Sequence, residues 1–241
     1  MSNNARPPSP AQTLFAWSVH ALTASGALVG FLAVAAVYRH EWVASFVWLV
    51  VATAIDSCDG FLARRARVHD VLPHFDGALL DNIVDYFTYV LVPAFLIHEA
   101  GLLPAQFSLA AVALIVLASA YQFCQADAKT DDHYFKGFPS YWNVVAFYLF
   151  FMQLPSWTNL AVIVALAVSV FVPVKYLYPS RAQRFRGLTI VLTLIWSALL
   201  IAVLARYPGE ARPLLWGSLV FVAYYYAMSL YMTFARPSPR D

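Results

Sequence analysis

The stretch Asp56-Ser57-Cys58-Asp59-Gly60-Phe61-Leu62-Ala63-Arg64 is followed, after twelve residues, by Gly77-Ala78-Leu79-Leu80-Asp81-Asn82-Ile83-Val84-Asp85. Six of the chain's 13 acidic residues fall between Asp56 and Asp85, and four of these, Asp56, Asp59, Asp81 and Asp85, sit inside apolar runs rather than in a loop. On a helix, residues three and four apart share a face, so Asp56, Asp59, Gly60 and Ala63 line one side of the first run, and Gly77, Asp81 and Asp85 line one side of the second. The first run descends to a surface and the second rises from the same surface. The two acidic faces can therefore meet, with Asp85 up to about 12 Å deep at 1.5 Å of rise per residue.

The surrounding chain says what that surface is. Of 241 residues, 61% are hydrophobic and 12% charged, against roughly 25% charged in an ordinary soluble domain. A water-soluble globule is excluded. Apolar runs fall near residues 18–38, 42–63, 77–97, 105–125, 140–153, 157–178, 187–205 and 213–235, and one span takes ~20 apolar residues. The expected fold is all-α, a polytopic integral membrane helical bundle of about eight transmembrane helices with no separate soluble domain. The fifth run is short, and Pro155 stands between the fifth and sixth, where a missing N–H does least harm.

Charge sets the expected orientation. If the N-terminus is cytoplasmic, that side holds Arg6, Arg64, Arg65, Arg67, Lys129, Lys136, Lys175, Arg181, Arg184, Arg186, Arg236 and Arg240, and the other side holds only Arg39, Arg206 and Arg212. Twelve cations against three predicts both termini in the cytoplasm. A net charge of +2 with no basic stripe excludes nucleic acid as a partner. Residues Met1 to Gln12 are polar and Pro-rich with a single Arg, which lacks the basic start of a cleaved signal peptide, so the first helix is expected to be retained. Cys58 and Cys124 form no metal spacing, and there is no internal repeat or inverted symmetry of the transporter kind.

Four carboxylates in a partly dehydrated cleft repel one another unless cations neutralise them. Donors that are all carboxylate oxygen suit Mg²⁺ or Mn²⁺, whereas zinc would recruit His or Cys. Gly60, Ala63 and Gly77 share the acidic faces, and their lack of bulk leaves a slot for an extended ligand. The bland alternative is that the aspartates cap helix ends or pair with neighbouring arginines while the small residues serve helix packing. Four carboxylates in face-matched pairs weigh against it. A divalent-cation transporter would use the same cluster, but its carboxylates belong near mid-membrane on a two-sided path, and these crowd one end.

The run Asp-x-x-Asp-Gly-x-x-Ala-Arg followed by Gly-x-x-x-Asp-x-x-x-Asp resembles the signature of the CDP-alcohol phosphatidyltransferases, integral membrane enzymes of phospholipid synthesis, at all eight prescribed positions. The twelve-residue spacer is longer than most of that family has. That spacer, the eight runs, the segment Val19-His20-Ala21-Leu22-Thr23-Ala24-Ser25-Gly26 and the segment Phe135-Lys136-Gly137-Phe138-Pro139-Ser140-Tyr141-Trp142-Asn143 are similar to a bacterial branch that uses choline. The resemblance implies one domain over residues 1–241, with a family-like core about 13–178 and additional helices about 187–235. It implies transfer of the phosphatidyl group from CDP-diacylglycerol to choline, giving phosphatidylcholine and CMP. Inositol, serine or glycerol phosphate are the alternative acceptors.

Carried over residue by residue, the resemblance implies that Asp56, Asp59 and Asp81 bind divalent metal, two ions of Mn²⁺ or Mg²⁺, and that Asp85 completes the cluster and acts as general base. Gly60, Ala63, Arg64 and Gly77 would border the CDP group, with His20 and Thr23 as candidates for the nucleotide side. Choline has no N–H, so its quaternary ammonium is expected against aromatic faces; the candidates are Tyr89, one turn above Asp85, and Tyr141 and Trp142 at the start of the fifth helix. Lys136, Arg184 and Arg186 are candidates for a lipid phosphate. The expected setting is the bacterial inner membrane, multi-pass, with the active site facing the cytoplasm, membrane lipids around it and a second copy forming a homodimer.

Overall fold

The structure is a computed structural model that describes residues 8–128, 134–177, 185–209 and 211–234. Arg6, Lys129, Arg181, Arg184, Arg236 and Arg240 lie outside the described residues, which removes Arg184 from the candidate site residues that can be placed. The described helices are α1 (Pro10–Tyr38), α2 (Trp42–Ala66), α3 (Gly77–Glu99), α4 (Ala105–Cys124), α5 (Trp142–Met152), α6 (Ser156–Ser169), α7 (Arg186–Arg206) and α8 (Arg212–Phe234). Among the described residues, six are long and apolar enough to cross a membrane: α1 to α4, α7 and α8. Large apolar side chains such as Leu28, Phe31, Leu194 and Val220 point outward, an exterior that suits lipid rather than water.

The difference from eight full spans lies in α5 and α6, which have 11 and 14 residues, or about 17 and 21 Å at 1.5 Å per residue. The expected sixth run, to residue 178, is cut at Ser169. Pro173 removes an N–H and disfavours helical backbone at Val172, so the chain leaves the helix before it. Lys175–Leu177 then forms strand β2, antiparallel to β1 (Tyr134–Lys136), with Phe135 opposite Tyr176. This small ribbon is the one departure from an all-α fold among the described residues.

At the other extreme, α1 starts eight residues before the expected first run. Ser9 caps it, its hydroxyl accepting from the Gln12 N–H while the Gln12 side chain accepts from the Ser9 N–H, and Pro10 occupies the first turn. A reciprocal cap of this kind stabilises a helix start by about 1 kcal/mol.

The chain divides into two compact units, Met1–Val92 and Pro93–Asp241. In the first, α1 is the central element, packed against both α2 and the first half of α3. Its buried stripe holds Ala16, Val19, His20, Thr23, Gly26, Gly30 and Ala33. A Cβ at Gly26 would stand 2.8 Å from Val84, and one at Gly30 would stand 2.7 Å from Phe87. These two glycines, four apart, let the α3 backbone approach closely.

In the second unit, α4 packs against α6, and α8 against α7, α5 and the ribbon. Trp142 is fully buried there. The N–H groups of Lys175 and Leu177 donate to the hydroxyls of Thr233 and Ser229 on α8, at 2.8 and 3.0 Å. Two residues of strand advance about 6.7 Å and four residues of helix about 6 Å, so one face of α8 matches the open edge of β2. Tyr148 of α5 receives the Trp196 indole N–H of α7 and pairs with Ser218 of α8. Helix α8 thus covers an otherwise exposed strand edge, a structural role that hydropathy alone did not suggest.

Replacing Gly30 by Leu is expected to lower stability by about 1–3 kcal/mol, as overpacking does. Gly187→Ala, where nothing lies within 4 Å, should stay within about 0.5 kcal/mol. Unfolding temperatures in detergent measure both; equal values for wild type and Gly30→Leu would contradict the close α1–α3 packing.

Candidate active site

Three helices of the first unit converge on the acidic faces. α2 ends at Arg67 in left-handed backbone, and the longer spacer folds as one helical turn, Val68–Val71, with Arg67 paired to Asp70 at 2.8 Å. Phe75, at the end of the spacer, reaches α1, its ring 4.4 Å from that of His20 and 5.2 Å from that of Trp17. Asp76 then caps α3, its Oδ1 accepting the Leu79 N–H at 2.9 Å. Gly77 lies directly under His20: a Cβ there would stand 2.5 Å from Cε1 of the imidazole. The glycine is required by the approach of α1, not by a turn.

Asp56 on α2 and Asp81 and Asp85 on α3 each offer a carboxylate oxygen to one group, all within 4.8 Å of one another and each half-buried. Asp59 does not join them. It is buried, and its Oδ2 accepts a 2.7 Å bond from the Thr23 hydroxyl of α1. The expected cluster of four is therefore a group of three plus one carboxylate tied to the neighbouring helix. Thr23 binds one oxygen, and a carboxylate retains capacity for further partners. Three converging carboxylate oxygens are a donor set suited to a hard divalent cation, so the residues present fit the metal that the motif implies.

Tyr89 lies one turn beyond Asp85, and its hydroxyl donates to Asp56 Oδ2 at 2.7 Å. Its phenol is thus engaged with the acidic group itself, a contact that the expectation of a choline-facing ring did not include. His20 is buried, and its Nε2 has no hydrogen-bond partner among the described residues. Gly60 and Arg64 are adjacent on α2, with the guanidinium 3.5 Å from where a Cβ at Gly60 would be. Ala63 is half-buried and Arg64 exposed.

In the second unit, Tyr141 is half-buried, edge-on to Phe135 at 6.1 Å. Trp142 departs from its expected role: it is fully buried, its indole N–H donates to Ser119 at 2.8 Å, and it packs edge-on to Phe138. Its ring is core, not a face open to a ligand. Lys136 is in β1, paired with Asp127 at 2.7 Å. That hydrogen bond raises the Lys136 pKa and lowers that of Asp127, so a phosphate at Lys136 would have to compete with a carboxylate already there. Arg186 is exposed at the start of α7.

Sequence reasoning missed Trp17 and Phe75, the aromatic neighbours of His20. It also missed that α3 changes pitch just past Asp85, where Tyr86–Leu91 is a π-helical segment; such segments recur at functional sites.

The fold and these side chains define a multi-pass helical membrane protein with a carboxylate centre built on its second and third spans. The chain belongs to the CDP-alcohol phosphatidyltransferase family, which residues 19–174 match. It is 40% identical to the phosphatidylcholine synthase of Legionella pneumophila over 96% of this chain and 94% of that protein. The phosphatidylcholine synthases of Pseudomonas aeruginosa and Rhizobium johnstonii are 40% and 38% identical, over 86% and 93% of this chain and 87% and 93% of theirs.

Asp81→Asn removes one charge from the group of three. Without metal it should unfold at or above the wild-type temperature, because repulsion is relieved. Added Mn²⁺ should stabilise wild type by binding the folded state and leave Asp81→Asn almost unmoved. Equal stabilisation of both proteins would show that the three carboxylates do not hold the ion.

Proposed function

We propose that this chain transfers the phosphatidyl group of CDP-diacylglycerol to choline, yielding phosphatidylcholine and CMP. The observation that carries the reading is the convergence of Asp56, Asp81 and Asp85 within 4.8 Å on the family's motif. The identity to phosphatidylcholine synthases over nearly the whole chain supports choline as the acceptor and residues 1–241 as one catalytic domain, with a core about 13–178 and additional helices about 187–235.

Asp56, Asp81 and Asp85 would hold Mn²⁺ or Mg²⁺, with Asp59 as the further carboxylate if two ions are present. A bound divalent ion screens the pyrophosphate charge and polarises the phosphorus. Asp85, one turn beyond Asp81 on α3, takes the proton from the choline hydroxyl. The choline oxygen then bonds to the phosphorus that carries diacylglycerol, the bond from that phosphorus to the bridging oxygen breaks, and its electron pair leaves with CMP. No covalent enzyme intermediate is needed.

Gly60, Ala63, Arg64 and Gly77 border the CDP group, and the unpartnered Nε2 of His20 beside Gly77 supports His20 on the nucleotide side. Thr23 orients Asp59. Tyr141 remains the proposed aromatic contact for the quaternary ammonium, and Arg186 a contact for lipid phosphate. The twelve-to-three distribution of cations supports a site facing the cytoplasm in the inner membrane. The homodimer rests on the family resemblance alone.

CMP release by the purified protein, with CDP-diacylglycerol and Mn²⁺, tests the reading. Choline should be used well ahead of ethanolamine, serine and inositol. Asp85→Asn should lower the rate by about 10²–10⁴ or more while CDP-diacylglycerol binding weakens much less. Equal use of inositol and choline would overturn the acceptor, and normal turnover by Asp85→Asn would overturn the base.

A further inference from the structure

Tyr89 connects two helices through the acidic group. Its hydroxyl donates to Asp56 Oδ2 at 2.7 Å. Asp56 is on α2, and Tyr89 is on α3, four residues past Asp85. The phenol therefore meets α2 at a carboxylate of the group of three.

The backbone is arranged to make that contact. In a regular α-helix each step of four residues overshoots a full turn by about 40°, so Asp81, Asp85 and Tyr89 would drift progressively off a common face. The π-helical segment Tyr86–Leu91 begins at the residue after Asp85, and its wider turns advance less per residue, which opposes the drift. Gly30 of α1 accommodates this segment, lying against Phe87 and Thr88.

A carboxylate turns about a broad, roughly two-fold terminal torsion, so an unsupported Asp56 could present its oxygens in many directions. With Oδ2 held by Tyr89, the carboxylate plane is fixed and Oδ1 is directed. Outer partners of this kind orient metal-binding groups, and their loss typically costs 10–100-fold in metal affinity.

We propose that Tyr89 is a positioning residue for the divalent-metal site: its hydroxyl orients Asp56, and its ring does not serve as a choline cage. This rests on the reading of Asp56, Asp81 and Asp85 as a metal site. It assigns Tyr89 a different part in the reaction from the one that its aromatic character alone suggests.

The test is Mn²⁺ binding to the purified full-length protein without substrates, followed by electron paramagnetic resonance, together with choline kinetics. Tyr89→Phe should weaken Mn²⁺ by about 10–100-fold, leave the choline KM unchanged at saturating Mn²⁺, and regain kcat as Mn²⁺ is raised. Tyr89→Leu should weaken Mn²⁺ to a similar degree. A Tyr89→Phe protein that binds Mn²⁺ like wild type would overturn the proposal, as would a choline KM that rises in Tyr89→Leu with Mn²⁺ affinity intact. If Tyr89→Phe is not recovered folded, wild type crystallised with Mn²⁺ decides: the Tyr89 hydroxyl is expected on Asp56, and an Asp56 carboxylate that binds Mn²⁺ without that hydrogen bond overturns the assignment. Absence of Mn²⁺ binding by wild type itself would instead sink the underlying metal reading.

Discussion

Three carboxylates whose oxygens lie within 4.8 Å of one another, on helices that cross a membrane, repel one another while ionised, and a cation among them would offset that repulsion. At such spacing the mutual repulsion grows as the surroundings become less polar. Much of the first unit can be understood as a frame that holds those groups together against it. The frame is made of close helix packing at Gly26 and Gly30, the Asp76 cap that starts α3, and the hydroxyls of Thr23 and Tyr89, which secure Asp59 and Asp56.

The division of labour among the four aspartates follows from which helix each one meets. Asp56 and Asp59 are three residues apart on α2, yet Asp56 turns to α3 and Asp59 to α1. One motif therefore serves a ligand group and a helix-to-helix tie at once. His20 and Thr23, three apart on α1, repeat the pattern from the other side: one lies over Gly77 and the other binds Asp59. The second unit solves a different problem. A two-stranded ribbon is marginal alone, and Ser229 and Thr233 of α8 satisfy the strand edge that would otherwise stay open.

What was legible in the sequence depended on whether the signal was local. Long apolar runs marked the spans within a few residues except at the start of α1, and the phase of Asp56, Asp81 and Asp85 placed them on facing sides, because helical periodicity is a property of the chain itself. Residues 170–177 are apolar enough to continue a helix, so Pro173 was the signal that should have ended it. The cap at Ser9 and Gln12 was also readable, but the first turns of α1 are too polar to register as a span. Other features depend on tertiary packing. Asp59 turns to Thr23 only because of how α1 is rotated against α2, and nothing in the composition distinguishes a tyrosine that offers its ring from one that offers its hydroxyl. Trp142 shows the same limit, since a tryptophan at a helix start can be an interface anchor or, as here, the centre of a core.

The central claim is that Asp56, Asp81 and Asp85 form a divalent-cation site. Anomalous diffraction at the manganese edge, from crystals grown with Mn²⁺, tests it most directly. The account predicts an anomalous peak bounded by the carboxylates of Asp56, Asp81 and Asp85, lost in Asp81→Asn crystals grown the same way. A well-ordered acidic group with no peak at saturating Mn²⁺, or a peak that persists unchanged in Asp81→Asn, would contradict it.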